Sequence, residues 1–210
     1  MALNIVIGIT AGYLLGAIPF AYITGRLIKG VDIRQVGGGN MGALNTMREI
    51  GLVPGLIVLM VDMAKGAAAV LIATWLDVSL IWVFAAGAAA VIGHNWPVFL
   101  KFRGGKGAAT AIGVLLALMP TEMGISLAII GVVVIITSNV RLGLTVGLTL
   151  LPFVTWLFNG SGWLIGFSLA LSAFLLLRSL PGSRAAVNTG DRKKPVFDRD
   201  YHFWQTKKNK

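Results

Sequence analysis

The feature that most constrains this chain is a series of seven apolar stretches separated by proline, glycine and charged residues. They cover residues 3–23, 52–76, 80–93, 107–119, 124–136, 142–158 and 163–177. In hydrocarbon every backbone N–H and C=O must be bonded within the protein, so stretches of this kind predict membrane-spanning helices. Only 12% of the residues are charged, against about a quarter in soluble domains. The sequence therefore predicts an all-α integral membrane protein.

The lengths of the stretches bear on the number of crossings. A helix needs about 20 apolar residues to cross about 30 Å of hydrocarbon, and seldom fewer than about 17. The first two stretches meet this length, whereas residues 80–93, 107–119 and 124–136 do not. The short ones must recruit flanking residues, thin the bilayer or form broken helices surrounded by protein. Seven transmembrane helices are predicted, with six as the alternative.

Apart from Lys65, the basic residues lie in alternate connections between the stretches and at the C-terminal end. In chain order, those of the first, third and fifth connections are Arg26, Lys29, Arg34, Arg48, Lys101, Arg103, Lys106 and Arg141. The second, fourth and sixth connections contain no lysine or arginine. An odd number of crossings places every basic connection on one side, which the positive-inside rule makes cytoplasmic. The N-terminus is then predicted outside and the C-terminus in the cytoplasm.

Most of the net charge of +10 comes from the C-terminal end. Residues 191–210 lack hydrophobic periodicity and predict a solvated or disordered segment beside the anionic inner leaflet. We therefore divide the chain into a membrane-embedded domain, residues 1–180, and a basic, flexible cytoplasmic tail, residues 181–210. No recognition helix or stacking motif indicates nucleic-acid binding. With no cysteine and only two histidines, the composition argues against a metal site.

The first connection contains a glycine cluster beside polar side chains. Consecutive glycines let a backbone approach a ligand closely and turn its N–H groups toward an anion, so Gly38 and Gly39 are candidate anion-binding positions. Asn40 and Asn45 add amide donors, and Arg48 offers a planar fork suited to phosphate oxygens. The alternative is a flexible turn whose arginines serve only topology.

The third connection carries a second glycine cluster directly before a helical pattern. Gly104, Gly105 and Lys106 combine backbone donors, the positive end of a helix and a lysine charge, which suits one bound anion. This is not a Walker A loop, because the spacing and the Ser/Thr after the lysine are missing. The alternative is an interfacial belt at headgroup depth, an interpretation that we favour for Lys101 and Arg103.

Three further polar residues lie within or beside apolar stretches. Asp62 and Lys65 are three residues apart, so they share a helix face and can neutralise each other where unpaired charge is costly. They form either an internal structural pair or the lining of a polar active-site cavity. His94, where a helix meets the cytoplasmic face, is a candidate general base, a hydrogen-bonded structural residue or a solvated one.

Taken together, these residues resemble the PlsY family of bacterial acyl-phosphate:glycerol-3-phosphate acyltransferases. The resemblance rests on Gly-x-Gly-Asn-x-Gly-Ala-x-Asn-x-x-Arg at residues 37–48, Asp-x-x-Lys-Gly at residues 62–66, and Gly-His-x-Trp-Pro-Val-Phe…Phe-x-Gly-Gly-Lys-Gly-x-Ala-Thr at residues 93–110. It implies seven helices in the bacterial cytoplasmic membrane and an outward N-terminus. The implied reaction moves a fatty acyl group from acyl phosphate to the 1-hydroxyl of glycerol 3-phosphate, which gives lysophosphatidic acid.

The resemblance also implies roles for the residues. Lys106 and the second glycine cluster hold one phosphate, and Arg48 with Asn40 and Asn45 helps to hold the other. Positioning and charge stabilisation supply most of the rate, so neither a protein nucleophile nor a cofactor is expected. The expected partners are the two substrates and membrane lipids, and nothing in the sequence indicates an oligomeric state. The candidate catalytic residues are thus Lys106, Arg48 and His94, and the candidate substrate-binding residues are Gly38, Gly39, Asn40, Asn45, Gly104, Gly105, Arg141, Asp62 and Lys65.

The chain departs from the family pattern at several polar positions. The usual Ser, Pro and Thr of the first motif, and the usual His and Asn after the last helix, are replaced here by Gly38, Met41, Leu44, Ser179 and Gly182. Losing buried polar contacts weakens transition-state binding. We therefore keep three alternatives: a paralogue with another acyl acceptor, in which Arg141 replaces lost phosphate contacts; a homologue without catalysis; and a transporter of small anions or phosphometabolites.

Overall fold

The computed structural model describes the backbone of residues 1–188 and the side chains of residues 1–179. Residues 1–188 form nine α-helices and a short 3-10 helix, Val98–Leu100, and contain no strand. The helices are α1 (Ala2–Ala17), α2 (Phe20–Lys29), α3 (Ala43–Glu49), α4 (Leu52–Trp75), α5 (Leu80–Asn95), α6 (Ala108–Leu118), α7 (Pro120–Thr137), α8 (Val140–Phe158) and α9 (Gly162–Asn188). The predicted all-α fold is confirmed.

The chain forms two compact units, Met1–Pro120 and Thr121–Lys210, where the sequence indicated one membrane domain followed by a tail. The first residues assigned to that tail continue α9 as far as Asn188. The rest of the predicted tail, residues 189–210, lies outside the described residues.

Six segments of the described chain are long and apolar enough to cross a membrane. They are Ala2–Lys29, Leu52–Trp75, Leu80–Leu100, Pro120–Thr137, Val140–Phe158 and Gly162–Ser179. Two of the short stretches do recruit flanking residues, as predicted, and reach 21 and 18 residues. The remaining stretch, residues 107–119, becomes α6, whose 11 residues extend about 16 Å at about 1.5 Å per residue. The described residues thus contain six membrane-length segments and one half-length apolar helix.

The first membrane-length segment is broken between α1 and α2. Pro19 lacks a backbone N–H and disfavours a helical conformation at the preceding residue, and Ile18 is accordingly extended, with ψ 115°. The α2 helix resumes at once and ends at Gly30, which adopts the left-handed conformation of a helix stop. The break exposes the Ile18 carbonyl to a partner from another helix.

Small residues bring the helices of the first unit close together. A Cβ atom at Gly16 of α1 would overlap the Ala90 carbonyl of α5. Between α4 and α6, a Cβ at Gly66 would likewise overlap the Thr110 carbonyl. Small residues at such positions let helix backbones approach without a gap, which is the usual basis of helix association in lipid. This packing brings α4, α5 and α6 around one region of the first unit.

The second unit has its own packing. Gly147 of α8 faces the Ile130 side chain of α7, and Ser172 of α9 donates a 2.8 Å hydrogen bond to the Leu148 carbonyl of α8. The side chain of Asn139 caps α8 by accepting a hydrogen bond from the Leu142 N–H. The helices of this unit are therefore held by the same combination of small-residue contacts and buried polar bonds.

The predicted membrane orientation is testable because the chain has no cysteine. We expect Ser79→Cys, at an exposed position before α5, to react with a membrane-impermeant maleimide in intact spheroplasts. Gln35→Cys, exposed in the first connection, should react only after lysis, because the positive-inside rule places that connection in the cytoplasm. The reverse pattern of labelling would contradict the predicted orientation.

Candidate active site

The two glycine-rich connections lie together in the first unit. Arg34 of the first connection donates a 3.4 Å hydrogen bond to the Leu100 carbonyl of the other. The Met41 carbonyl faces Gly105, where an added Cβ would overlap it. An apolar cluster supports this junction, and Leu100 packs against it. The buried members of the cluster are Ala21, Ile33, Met41, Ile50 and Val58. The structure therefore brings together two segments that are about 60 residues apart in sequence.

The first glycine connection is closed on itself by Asn45. The Asn45 amide donates to the carbonyls of Ile33 and Val36 at 3.0 and 3.1 Å and accepts from the Gly38 N–H at 2.9 Å. The Gly39 N–H donates to the Val36 carbonyl at 3.1 Å. The side chain of Asn45 is buried, so it holds the shape of the connection. Asn40 is half-buried and Gly38 and Gly39 are exposed.

A second interaction orders the start of this connection. Arg34 makes a two-pronged ion pair with Asp32, with N–O distances of 2.9 and 2.7 Å, and lies over the ring of Tyr22, 5.1 Å from its centroid. The hydrogen bond from Arg34 holds the pKa of Asp32 below its ordinary value. Because that pKa is lowered, the pair stabilises the connection at neutral pH, and the contribution is lost as the pH falls through the lowered pKa. Sequence reasoning took Arg34 only as a topogenic charge.

The second glycine cluster is also bonded to its own neighbourhood. The Gly104 N–H donates to the Asn95 carbonyl at 3.2 Å, and the Gly105 N–H donates to the His94 carbonyl at 3.1 Å. Gly107, at φ +81°, is the cap of α6, so Lys106 directly precedes the helix start that the sequence predicted. Lys106 is half-buried. The N–H groups of Gly38, Gly39, Gly104 and Gly105 therefore donate within the protein, and a role for these residues in binding substrate stays a prediction.

Asp62, Lys65 and His94 form a buried polar cluster at this junction. The Lys65 Nζ lies 2.7 Å from Asp62 Oδ1 and 2.9 Å from His94 Nδ1, and it donates to the Ile18 carbonyl at the α1–α2 break at 3.2 Å. His94 Nδ1 lies 3.6 Å from Asp62 Oδ1. Each of the three residues is at most 6% exposed. The predicted sharing of one helix face by Asp62 and Lys65 is confirmed, and His94 joins them from α5.

Glycine at position 105 is what allows the histidine to lie there. A Cβ atom at Gly105 would overlap both His94 Nε2 and the Met41 carbonyl. The His94 ring therefore packs directly on the backbone of the second glycine cluster. This contact links the buried polar cluster to both glycine-rich connections.

Two polar residues that sequence reasoning passed over adjoin the second glycine cluster. Asn95 and Thr110 are buried, and among the described residues neither Asn95 Oδ1 nor Thr110 Oγ1 has a hydrogen-bond partner. The same holds for Asp62 Oδ2. Buried polar atoms are seldom left unpaired, so a group of them at one place is typical of a functional site. Both residues fall within the motif at residues 93–110, and that position could have marked them as site candidates from the sequence.

The remaining candidates are on α3, α8 and α9. Arg48 is exposed in the last turn of α3. Arg141 is exposed in the first turn of α8, in the second unit, and its approach to the glycine clusters stays a prediction. Ser179 is exposed near the end of the described side chains and donates to the Leu176 carbonyl. Gly182 lies in α9.

The fold and the site define a multi-pass membrane protein with a polar site formed where two glycine-rich connections meet. The profile of the family described as glycerol-3-phosphate acyltransferase matches residues 6–184, and the chain belongs to this family. Two relatives come from Dehalococcoides mccartyi. Glycerol-3-phosphate acyltransferase 1 is 46% identical, with 69% of this chain and 73% of the relative covered. Glycerol-3-phosphate acyltransferase 2 is 37% identical, with 93% and 95% covered.

A solved structure gives the same result. The crystal structure of PlsY (YgiH), described as an integral membrane glycerol 3-phosphate acyltransferase in its glycerol 3-phosphate form, is similar with a TM-score of 0.83. The identity is 29%, and the similarity covers 96% of this chain and 99% of the other. The chain is therefore a multi-pass protein of the bacterial cytoplasmic membrane. The comparisons do not favour the transporter alternative.

The contact at Gly105 gives a testable expectation. Gly105→Ala forces the His94 ring or the Met41 carbonyl to move, so we expect a loss of about 1–3 kcal/mol in the free energy of unfolding. Thermal unfolding in detergent measures this loss. Gly124→Ala is the matched control, because nothing lies within 4 Å of a Cβ atom at that helical glycine. Equal destabilisation by the two substitutions would contradict the assigned packing.

Proposed function

We propose that this protein transfers a fatty acyl group from acyl phosphate to the 1-hydroxyl of glycerol 3-phosphate and so forms lysophosphatidic acid. Its family, and relatives that carry the name of that activity over most of the chain, support the proposal. The structural observation that carries it is the junction of two glycine-rich connections beside a buried polar cluster. Each connection supplies a cationic side chain, and each substrate carries a phosphate.

The reaction needs little covalent chemistry from the protein. The hydroxyl oxygen of glycerol 3-phosphate attacks the acyl carbonyl carbon and forms the ester bond. The bond from that carbon to the phosphate oxygen breaks, and inorganic phosphate leaves with the hydroxyl proton. Because the leaving group can take the proton, positioning and neutralisation of the two phosphates supply most of the rate.

We assign the phosphate contacts to side chains, because the glycine amides donate within the protein. Lys106, directly before the positive end of α6, holds one phosphate in this proposal. Arg48 with the half-buried Asn40 holds the other. Asn45 is a positioning residue that keeps the first connection in shape through its three hydrogen bonds.

The assay that tests the proposal uses purified protein, acyl phosphate and labelled glycerol 3-phosphate. We expect labelled lysophosphatidic acid, and a fall in kcat/KM of about 100-fold or more for Lys106→Ala and for Arg48→Ala, since each removes one charged contact to a phosphate. Lys208→Ala should leave activity unchanged. If the wild-type protein gives no product while an active relative does, the chain is a paralogue with another acceptor or a homologue without catalysis. Equal effects of all three substitutions would contradict the assigned site.

The possibility that Arg141 replaces a lost phosphate contact gives a separate expectation. If Arg141 replaces a lost phosphate contact, Arg141→Ala should raise KM for glycerol 3-phosphate about tenfold and change kcat little. A tenfold change corresponds to the binding free energy of about one partly exposed charged hydrogen bond. Arg141→Lys keeps the charge and should recover part of the effect. A KM unchanged in both variants would remove Arg141 from the site.

A further inference from the structure

The buried ammonium group of Lys65 fixes which nitrogen of His94 carries a proton. An ammonium group has three N–H donors and no acceptor. The Nζ of Lys65 donates to the Ile18 carbonyl at 3.2 Å, is ion-paired with Asp62 Oδ1 at 2.7 Å and lies 2.9 Å from His94 Nδ1. The ring nitrogen at 2.9 Å must therefore accept, and so His94 Nδ1 carries no proton.

The other ring nitrogen is then a donor. A neutral imidazole has one N–H, and with Nδ1 unprotonated the proton lies on Nε2. Nε2 lies against Gly105, and the Met41 carbonyl approaches the same face of that residue. The histidine is 4% exposed, and the hydrogen bonds and ion pairs that its ring makes with described residues involve Nδ1. A buried N–H aimed at the junction of the two glycine-rich connections is thus left for a ligand.

We propose that Lys65 holds His94 in the Nε2–H form and that this N–H donates to a phosphate oxygen of a substrate bound at the junction of the glycine-rich connections. The substrate identity rests on the proposed function, whereas the protonation state of the ring rests on the Lys65 geometry alone. His94 is then a catalytic residue that acts as a fixed hydrogen-bond donor and not as a general base. Lys65 and Asp62 do not touch substrate; they are positioning residues that act through the ring.

The protonation state can be observed without any assay of turnover. The chain has two histidines, so a full-length His202→Asn protein labelled with 15N-histidine reports His94 alone. We expect NMR spectra of this protein in lipid to show a protonated Nε2 and an unprotonated Nδ1, and Lys65→Met to populate the second tautomer. A proton on Nδ1, or on both nitrogens, in the protein with Lys65 intact would overturn the proposal.

The substrate contact is tested by titration of the same sample. Glycerol 3-phosphate and inorganic phosphate, added separately, distinguish an acceptor phosphate from the leaving-group phosphate. We expect one of them to shift the Nε2–H resonance, with the half-point of the shift matching its KM or inhibition constant. If neither compound shifts the resonance at saturation, the Nε2–H donates to the Met41 carbonyl or to another protein group, and the substrate contact is refuted.

The kinetics of two amide variants distinguish a His94 ring that donates to substrate from a ring that only supports the structure. The side-chain nitrogen of glutamine reaches the position of Nε2, whereas that of asparagine reaches the position of Nδ1. We therefore expect His94→Gln to keep kcat/KM within about tenfold and His94→Asn to lower it about 100-fold or more, the usual effect of removing one such donor. Lys65→Met should lower kcat/KM in the wild-type background but add little to His94→Asn.

Thermal unfolding of each variant is measured alongside the kinetics, so that a loss of activity can be separated from a loss of the fold. Equal losses in His94→Gln and His94→Asn, with both proteins folded, would overturn the donor role. If a variant fails to fold, the NMR measurements on the protein with both residues intact still decide the matter. If the wild-type protein makes no lysophosphatidic acid, the proposed function is refuted. The NMR measurement of the His94 tautomer does not depend on that result.

Discussion

One buried ammonium group holds the site together. Lys65 connects the break between α1 and α2, its own helix α4, and His94 on α5. A charge at this depth is tolerated because a carboxylate lies at 2.7 Å and two further acceptors, His94 Nδ1 and the Ile18 carbonyl, lie within 3.2 Å. Removal of one partner from such a buried pair costs about 3–5 kcal/mol. The position of the second glycine cluster depends on this arrangement, because its Gly105 packs on the His94 ring.

The packing of α6 sets the level of the site along the membrane-spanning helices. Asp62 is the eleventh residue of α4, about 15 Å from its start at about 1.5 Å per residue. Gly66 lies one turn further and touches the Thr110 carbonyl near the beginning of α6. The connection before α6 therefore ends near the middle of α4, and α6 needs only half the usual length. In the proposed function, a polar site at this level binds phosphate groups where little water competes for its donors.

The sequence predicted the parts of this structure that depend on composition and local spacing. Apolar stretches predicted the helices, and the spacing of Asp62 and Lys65 predicted their pairing. The contact of Lys65 with His94 joins residues 29 apart and depends on how α4 packs against α5, which no local pattern encodes. Glycine clusters indicated exposed amides, but Asn45 satisfies the Gly38 N–H once the connection folds back. Such competition between protein acceptors and a ligand becomes visible only in three dimensions.

The same hydrogen bond bears on the departure from the family pattern at Gly38. The amide of this residue is held by Asn45 whatever its side chain, and a Cβ atom there would meet only Asn45 Oδ1, at an ordinary contact distance of 3.7 Å. The connection therefore accommodates serine or glycine without a change in shape. By contrast, Gly37 and Gly39 have φ of +57° and +65°, a conformation that strains other residues. The difference at Gly38 is therefore the loss of one hydroxyl group from an unchanged loop, and under the proposed function its effect is on substrate binding.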